Sequence, residues 1–272
     1  NGAMGQRANF EEFYSGPTFQ GSYIAGVYYP DKTRGGWWKN GYPEYFAKVL
    51  NAPNWIGINV LVNGEMLDLN TCKSVEDFRR ELNMKEGWHQ RSFKATLPNN
   101  VQIKVTATRF LSLEMDEVGA IKYEVTPLNT SAEITFLPYV DGGITNEDTN
   151  WDDAFWDVYK TGAQNDFGYV VSKTNKTEYH VCTGMISTLF LNNEKLTIAP
   201  QENIEALKAA FSYTIEAKKG ETAAIEKMGG YVTSLNYKAE NLVEASLKVL
   251  SNASKIGFDA LLEKQKEAWA SI

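Results

Sequence analysis

The segment Trp88–Leu113 constrains the fold of this chain more than any other. It divides at Pro98-Asn99-Asn100 into two runs, Trp88–Leu97 and Val101–Leu113. In the second run Val101, Ile103, Val105 and Ala107 alternate with Gln102, Lys104, Thr106 and Thr108. Side chains point to opposite faces along a strand, so a period of two marks one buried and one wetted face. Strands usually run ~5–6 residues, and this one is read as continuing to Leu113. A strand of that length needs long antiparallel neighbours and a second layer over its apolar face. The expected fold is mainly β, a large antiparallel β-sandwich.

Other segments fill in the sandwich. Asn63-Gly64 between Ile56–Val62 and Glu65–Leu69 is the signature of a tight hairpin, because both central residues need positive φ. Ser22–Tyr29 reads as a short strand ended by a turn at Pro30-Asp31-Lys32. Ala120–Thr126, Glu133–Val140, Phe167–Ser172, Glu178–Thr188, the alternating Leu207–Glu216, and Ala223–Ser234 complete the β region. One segment departs from the period of two. Val75, Phe78 and Leu82 recur at helical spacing, Ser74 stands at a capping position and Asp77 three residues on, so Ser74–Met84 is expected to be a short helix closed by Gly87.

From Ala239 the sequence becomes rich in Ala, Glu and Lys, with Leu242, Leu247, Leu250, Ile256, Leu261 and Trp269 at helical spacing. Two helices broken near Ser251–Gly257 are expected. The chain therefore divides into a β-sandwich over 1–236 and linker helices over 237–272. The helical pattern is unfinished at Ile272, and Leu250, Leu261 and Trp269 are expected to face a partner outside the chain.

Composition narrows the function. A length of 272 residues suits a large all-β domain. A net charge of −7 without a basic run argues against nucleic acid. No apolar run approaches the ~18 residues of a membrane span. A soluble chain follows, its compartment depending on any export signal upstream. Cys72 and Cys182 form no CxxC site and either pair or stay inert. His89 and His180 have no metal-ligand spacing, and no Gly-x-Ser-x-Gly elbow is present. No metal, cofactor or catalytic residue is assigned.

One stretch has the composition of a carbohydrate site. Asn146–Asp157 combines Glu147, Asp148, Asp152, Asp153 and Asp157 with Trp151, Phe155 and Trp156. Sugars offer C–H faces to aromatic rings and hydroxyls to carboxylates, so Trp151 and Trp156 are candidates for stacking and Asp152 for hydroxyl binding. An acidic loop with its aromatic rings tucked inward has the same composition.

The ordered landmarks resemble glycoside hydrolase family 65, the family of maltose, trehalose and kojibiose phosphorylases and related hydrolases. Asn1-Gly-Ala-Met-Gly-Gln-Arg-Ala-Asn-Phe-Glu-Glu12 resembles its opening. Tyr23-Ile-Ala-Gly-Val-Tyr28, Asn63-Gly-Glu-Met-Leu-Asp-Leu69, Phe78–Arg91, Arg109-Phe-Leu-Ser-Leu113 and Leu261–Ile272 are similar to its later landmarks. Ala3 replaces a usual aromatic, and Asn83 a common Asp. The resemblance implies a β-super-sandwich followed by linker helices and a catalytic (α/α) barrel absent from this chain. It makes the chain the accessory domain of an enzyme acting on α-linked glucose disaccharides. Its partners would be a disaccharide, the chain's own barrel domain and, as an open option, a second copy in a homodimer. Phosphate would enter as co-substrate if the parent enzyme is a phosphorylase. A free-standing carbohydrate-binding β-sandwich is the alternative.

Overall fold

The computed structural model describes residues 1–33, 43–146 and 154–271. In chain order the strands are β1 (Met4–Gln6), β2 (Ser22–Ile24), β3 (Tyr28–Lys32), β4 (Tyr45–Val49), β5 (Ile58–Val62), β6 (Glu65–Met66), β7 (Ser74–Asn83), β8 (Trp88–Thr96) and β9 (Gln102–Leu111). They continue as β10 (Val118–Pro127), β11 (Ala132–Asp141), β12 (Trp156–Gln164), β13 (Phe167–Thr174), β14 (His180–Leu191), β15 (Glu194–Leu196), β16 (Gln201–Ile204), β17 (Lys208–Ala217) and β18 (Ala223–Thr233). A 3-10 turn, Ala239–Asn241, leads into helices α1 (Leu242–Ile256) and α2 (Phe258–Ala270).

Two sheets carry the fold. The larger has nine strands in the order β12-β13-β14-β18-β10-β9-β8-β7, with β15 attached to β14. The smaller runs β16-β17-β11-β5-β6. The sequence alternation fixes their packing. Val101, Ile103, Val105 and Ala107 are buried, while Gln102 and Lys104 are exposed. Strand β9 lies inside the larger sheet, between β8 and β10. Across the gap Tyr123 of β10 meets Phe136 of β11 edge to face, 6.4 Å between centroids. Lys227 of β18 bridges the same gap: its buried Nζ donates to the carbonyls of Gly57 and Tyr139 at 2.8 and 2.7 Å. The expected tight hairpin joins β5 to β6, with φ of 50° at Asn63 and 77° at Gly64.

Two local expectations are corrected. Ser74–Met84 is not helical; its residues up to Asn83 form β7 at the edge of the larger sheet, paired with β8. The pairing slips between Glu76 and Arg79, around an Asp77 with φ of 51°. Val75 pairs with Ala95 before the slip, Arg80 with Arg91 and Leu82 with His89 after it. A bulge moves the alternation by one residue, so Val75, Phe78 and Leu82 share a face at spacings that imitate a helix. The second correction concerns Pro30-Asp31-Lys32, which lies within β3 and pairs with β4. Proline is tolerated there because the two-stranded sheet is all edge. The chain turns instead at Ala25 and Gly26.

The helices also find a partner that the sequence did not suggest. Leu250, Ala253, Phe258 and Leu261 pack on Phe110, Val118, Ala120, Ile186 and Met228, on the outer face of the larger sheet. Leu250 and Leu261 are therefore covered within this chain, against the expectation that they await an outside partner. Close approach requires Gly184 of β14, where a Cβ would lie 2.5 Å from Ser246 Oγ and 2.8 Å from Leu250 Cδ1. Gly257, with φ of 83°, separates the two helices. No helix among the described residues is long and apolar enough to cross a membrane.

Candidate functional site: a buried ion-pair cluster beside an open cavity

The charged residues of the sequence landmarks meet inside the fold. Arg91 lies in β8 in phase with Phe93 and Ala95, and Arg109 in β9 in phase with Val105 and Ala107, so both side chains enter at core positions. The segment after β1 brings Glu11 and Glu12 to them. Arg91 Nη1 donates to Glu12 Oε1 at 2.6 Å, and its Nη2 to Glu11 Oε2 at 2.8 Å and Glu12 Oε2 at 2.5 Å. Arg109 Nη1 donates to Glu11 Oε1 at 2.6 Å and to the Asn9 carbonyl at 2.9 Å, and its Nη2 to the Arg7 carbonyl at 2.8 Å. The Tyr123 hydroxyl donates to Glu12 Oε2 at 3.1 Å, and the Phe10 ring covers the Arg91 guanidinium at 4.3 Å.

This arrangement positions backbone and offers little for proton transfer. All four charged residues are buried. Burial by itself would raise the Glu11 carboxyl, but Arg109 and Arg91 overcome it and hold the group at about 2. A general acid needs a carboxyl near its operating pH and open to substrate; this one is held far below neutral pH and is buried. The cluster fastens the opening segment over the inner face of the larger sheet. Asn1 fixes the start of that segment: its Oδ1 accepts from the N–H groups of Ala3 and Met4, and its Nδ2 donates to the Ser112 carbonyl at 2.7 Å.

Beside the cluster opens a cavity of about 330 Å³, lined in part by Leu82, Met84, Trp88, His89, Leu111 and Trp269. Its polar neighbours are mostly engaged. Asn83 Oδ1 accepts from the N–H groups of Lys85 and Glu86, both at 3.0 Å, so the Asn does here what an Asp carboxylate would do. The Trp269 indole donates to the Met84 carbonyl, and Gln265 Oε1 accepts from the Leu113 N–H. His89 differs: neither ring nitrogen has a hydrogen-bond partner among the described residues. Burial, then the charge of Arg109, lowers its imidazole to about 4, so it is neutral at physiological pH.

Of the carbohydrate candidates read from sequence, Trp156 alone lies within the described residues. Trp151 and Asp152 lie outside them. Trp156 opens β12 and is 8% exposed, its indole donating to the Asn51 carbonyl at 2.8 Å. That ring is in the core and is not free to stack on a sugar. Asn146 Nδ2 donates to the Val49 carbonyl and Asn175 Nδ2 to the Ala154 carbonyl, anchoring the flanks of the acidic stretch. Cys72 and Cys182 are both free, which settles their pairing. No group of three or more His, Cys, Asp or Glu among the described residues is placed to hold a metal. The ion-pair cluster was missed in the sequence, although two arginines at inward positions of alternating strands were its signal.

Comparison with known proteins agrees with this geometry. The family model described as glycosyl hydrolase family 65, N-terminal domain, matches residues 1–272. Maltose phosphorylase of Bacillus subtilis (strain 168) is 37% identical over 269 residues, covering 99% of this chain and 35% of that protein. The α,α-trehalose phosphorylase of Thermoanaerobacter brockii is 28% identical over 285 residues, covering 98% and 35%. The solved structure of a putative kojibiose phosphorylase from the human microbiome superposes with a TM-score of 0.85 at 23% identity, covering 99% of this chain and 34% of that one. The chain thus spans about a third of the length of these curated relatives. With its landmark residues gathered into one buried cluster and a family match from end to end, the chain belongs to glycosyl hydrolase family 65 as that family's N-terminal domain.

Proposed function

We propose that the full-length protein carrying this chain is a phosphorylase of α-linked glucose disaccharides, and that residues 1–272 are its accessory domain. The observation that carries the reading is the similarity to maltose phosphorylase along 99% of the chain. Within the proposal, residues 1–236 form the sandwich and 237–272 the helical linker toward the rest of the protein. The general acid and the residues that receive phosphate belong to that remainder, and no residue of this chain is given a catalytic role. A free-standing carbohydrate-binding sandwich is the weaker reading, because the relatives carry this domain as about a third of a longer chain. Trp151 and Asp152 keep a proposed sugar-facing role on composition alone. In the full-length enzyme Trp151→Ala should then raise KM without changing the thermal midpoint.

The test is product analysis of the full-length protein with maltose, trehalose and kojibiose. Release of glucose 1-phosphate that depends on added phosphate is the expected result. Free glucose alone, unaffected by phosphate, would identify a hydrolase. Residues 1–272 by themselves should release neither product.

A further inference from the structure

The inner face of the larger sheet is buried from Arg91 to Ala95 along β8 and from Ile103 to Arg109 along β9, but not along β7. Arg91 and Phe93 in β8, and Val105 and Ala107 in β9, are buried on that face. The bulge in β7 turns Phe78, Arg80 and Leu82 to the same side, yet Phe78 is 46% exposed and Leu82 is 67% exposed. Met84, in the turn that follows, is 75% exposed. The opening segment reaches the stripe at one point, where Phe10 meets Phe78 edge to face at 6.3 Å and lies 5.4 Å from the Arg80 guanidinium, and leaves Phe78 and Leu82 exposed. The cavity holding His89 lies at the Leu82–Met84 end of it, and a second hollow lined by Phe10, Tyr14, Phe19 and Arg80 lies toward the other end.

We propose that this face of β7, together with the His89 cavity, is the seat on which the remainder of the full-length chain docks within the same subunit. The inference rests on the accessory-domain reading above. Two observations select this occupant over a second copy or a soluble ligand. The relatives extend to about three times the aligned length, so in a full-length protein of that kind a large body of chain is tethered to this domain. Helix α2 ends with Trp269 forming part of the cavity wall and bonded to Met84, so a chain continuing from α2 leaves at the rim of the seat. The chemistry of the docked surface follows from the lining. Large aliphatic or aromatic side chains would fill the space around Leu82, Met84 and Trp88. One hydroxyl, amide or backbone group would enter the cavity to pair with the neutral His89, which offers one donor and one acceptor. Burying the stripe would also cover a sheet edge that otherwise invites pairing with other chains.

The test replaces Leu82 with the photoreactive residue p-benzoylphenylalanine in the full-length protein. Light-induced crosslinks are mapped by mass spectrometry on a mixture of ordinary and ¹⁵N-labelled subunits. Crosslinks from position 82 to residues beyond 272, with both peptides carrying the same isotope label, are expected. The same probe at Gln102, on the wetted face of β9, should give none to that region. Crosslinks confined to residues 1–272, crosslinks joining the two labels, or no crosslinks at all would overturn the proposal. Leu82→Glu with Met84→Glu provides a second readout, expected to lower the full-length protein's thermal midpoint by several degrees; an unchanged midpoint counts against the seat. The phosphate-dependent release of glucose 1-phosphate by the unaltered protein is measured alongside. An active enzyme without the crosslinks refutes the seat alone, and an inactive one with them refutes only the activity.

Discussion

Arg91 Nη2 lies 2.8 Å from Oε2 of Glu11, a residue eighty positions earlier in the chain. The bond joins the opening segment to the second strand in from the edge of the larger sheet, through a pair withdrawn from water. A buried ion pair stabilises little against a well-packed apolar substitute, yet losing one partner leaves an uncompensated charge. Arg91→Met should therefore cost ~3–5 kcal/mol. The urea midpoint checks this, and a shift smaller than that of an ordinary surface substitution would refute it.

The same cluster sets an acid limit. Glu11 titrates at about 2 in the fold against an ordinary 4.5. Between these values the unfolded chain binds the proton first, so the stability Glu11 contributes is present above 4.5 and is lost as pH falls toward 2. Urea midpoints should drop steeply between pH 5 and pH 2.5. In Glu11→Gln the starting stability should be lower and the slope over that interval shallower. Parallel slopes in the two proteins would show that other carboxylates control the acid transition.

Ile103 is fully buried between the two sheets. Ile103→Ala should cost ~2–5 kcal/mol, the range for removing buried methyl and methylene groups. Chemical denaturation measures it directly.

At Gly184 α1 lies close enough to the larger sheet that a Cβ would fall 2.5 Å from Ser246 Oγ. Gly184→Leu would drive a side chain into Ser246 and Leu250, and overpacking of this kind costs ~1–3 kcal/mol. Loss of helical signal at a lower temperature than loss of strand signal is expected in the variant, because the clash lifts the helices before it disturbs the sheets.

Cys182 lies beneath α1, and burial pushes its thiol up to about 12. A thiolate is the reactive form, so this cysteine should resist thiol reagents at pH 8 until the protein unfolds. Its labelling rate should track the unfolding equilibrium across a urea series. Fast labelling in the absence of denaturant would place α1 away from the sheet.

These features differ in how far the sequence displays them. Strand β9 and the Asn63-Gly64 hairpin are legible because each is determined by local backbone chemistry: a period of two, and two residues that accept positive φ. Strand β7 is not, because one bulge converts its alternation into spacings of three and four that belong equally to a helix. The ion-pair cluster depends on residues 79 or more positions apart, which no local pattern registers. The covering of Leu250 and Leu261 was hidden for a related reason. Strand β18 is buried along its whole length and β10 over Val118–Ile121, so both faces of these stretches are covered and record a third layer without naming it. In the acidic stretch, composition alone left Trp156 undecided between core and surface, and its bond to the Asn51 carbonyl decides it.

The central pairing of the larger sheet has a consequence for synthesis. Strand β10 is flanked by β9 from just upstream and by β18 from about a hundred residues downstream, with Val118 opposite Gly230 and Val125 opposite Ala223. At ~5–20 residues per second on the ribosome, β10 waits on the order of five to twenty seconds for its second neighbour. During that interval it is an unpaired edge with an apolar face at Ile121, Tyr123 and Val125, a state that recruits other nascent chains. Slow translation between Leu128 and Ala223 would lengthen the exposure, whereas a chaperone bound to β10 over the same window would shield it until β18 and then α1 close over the sheet.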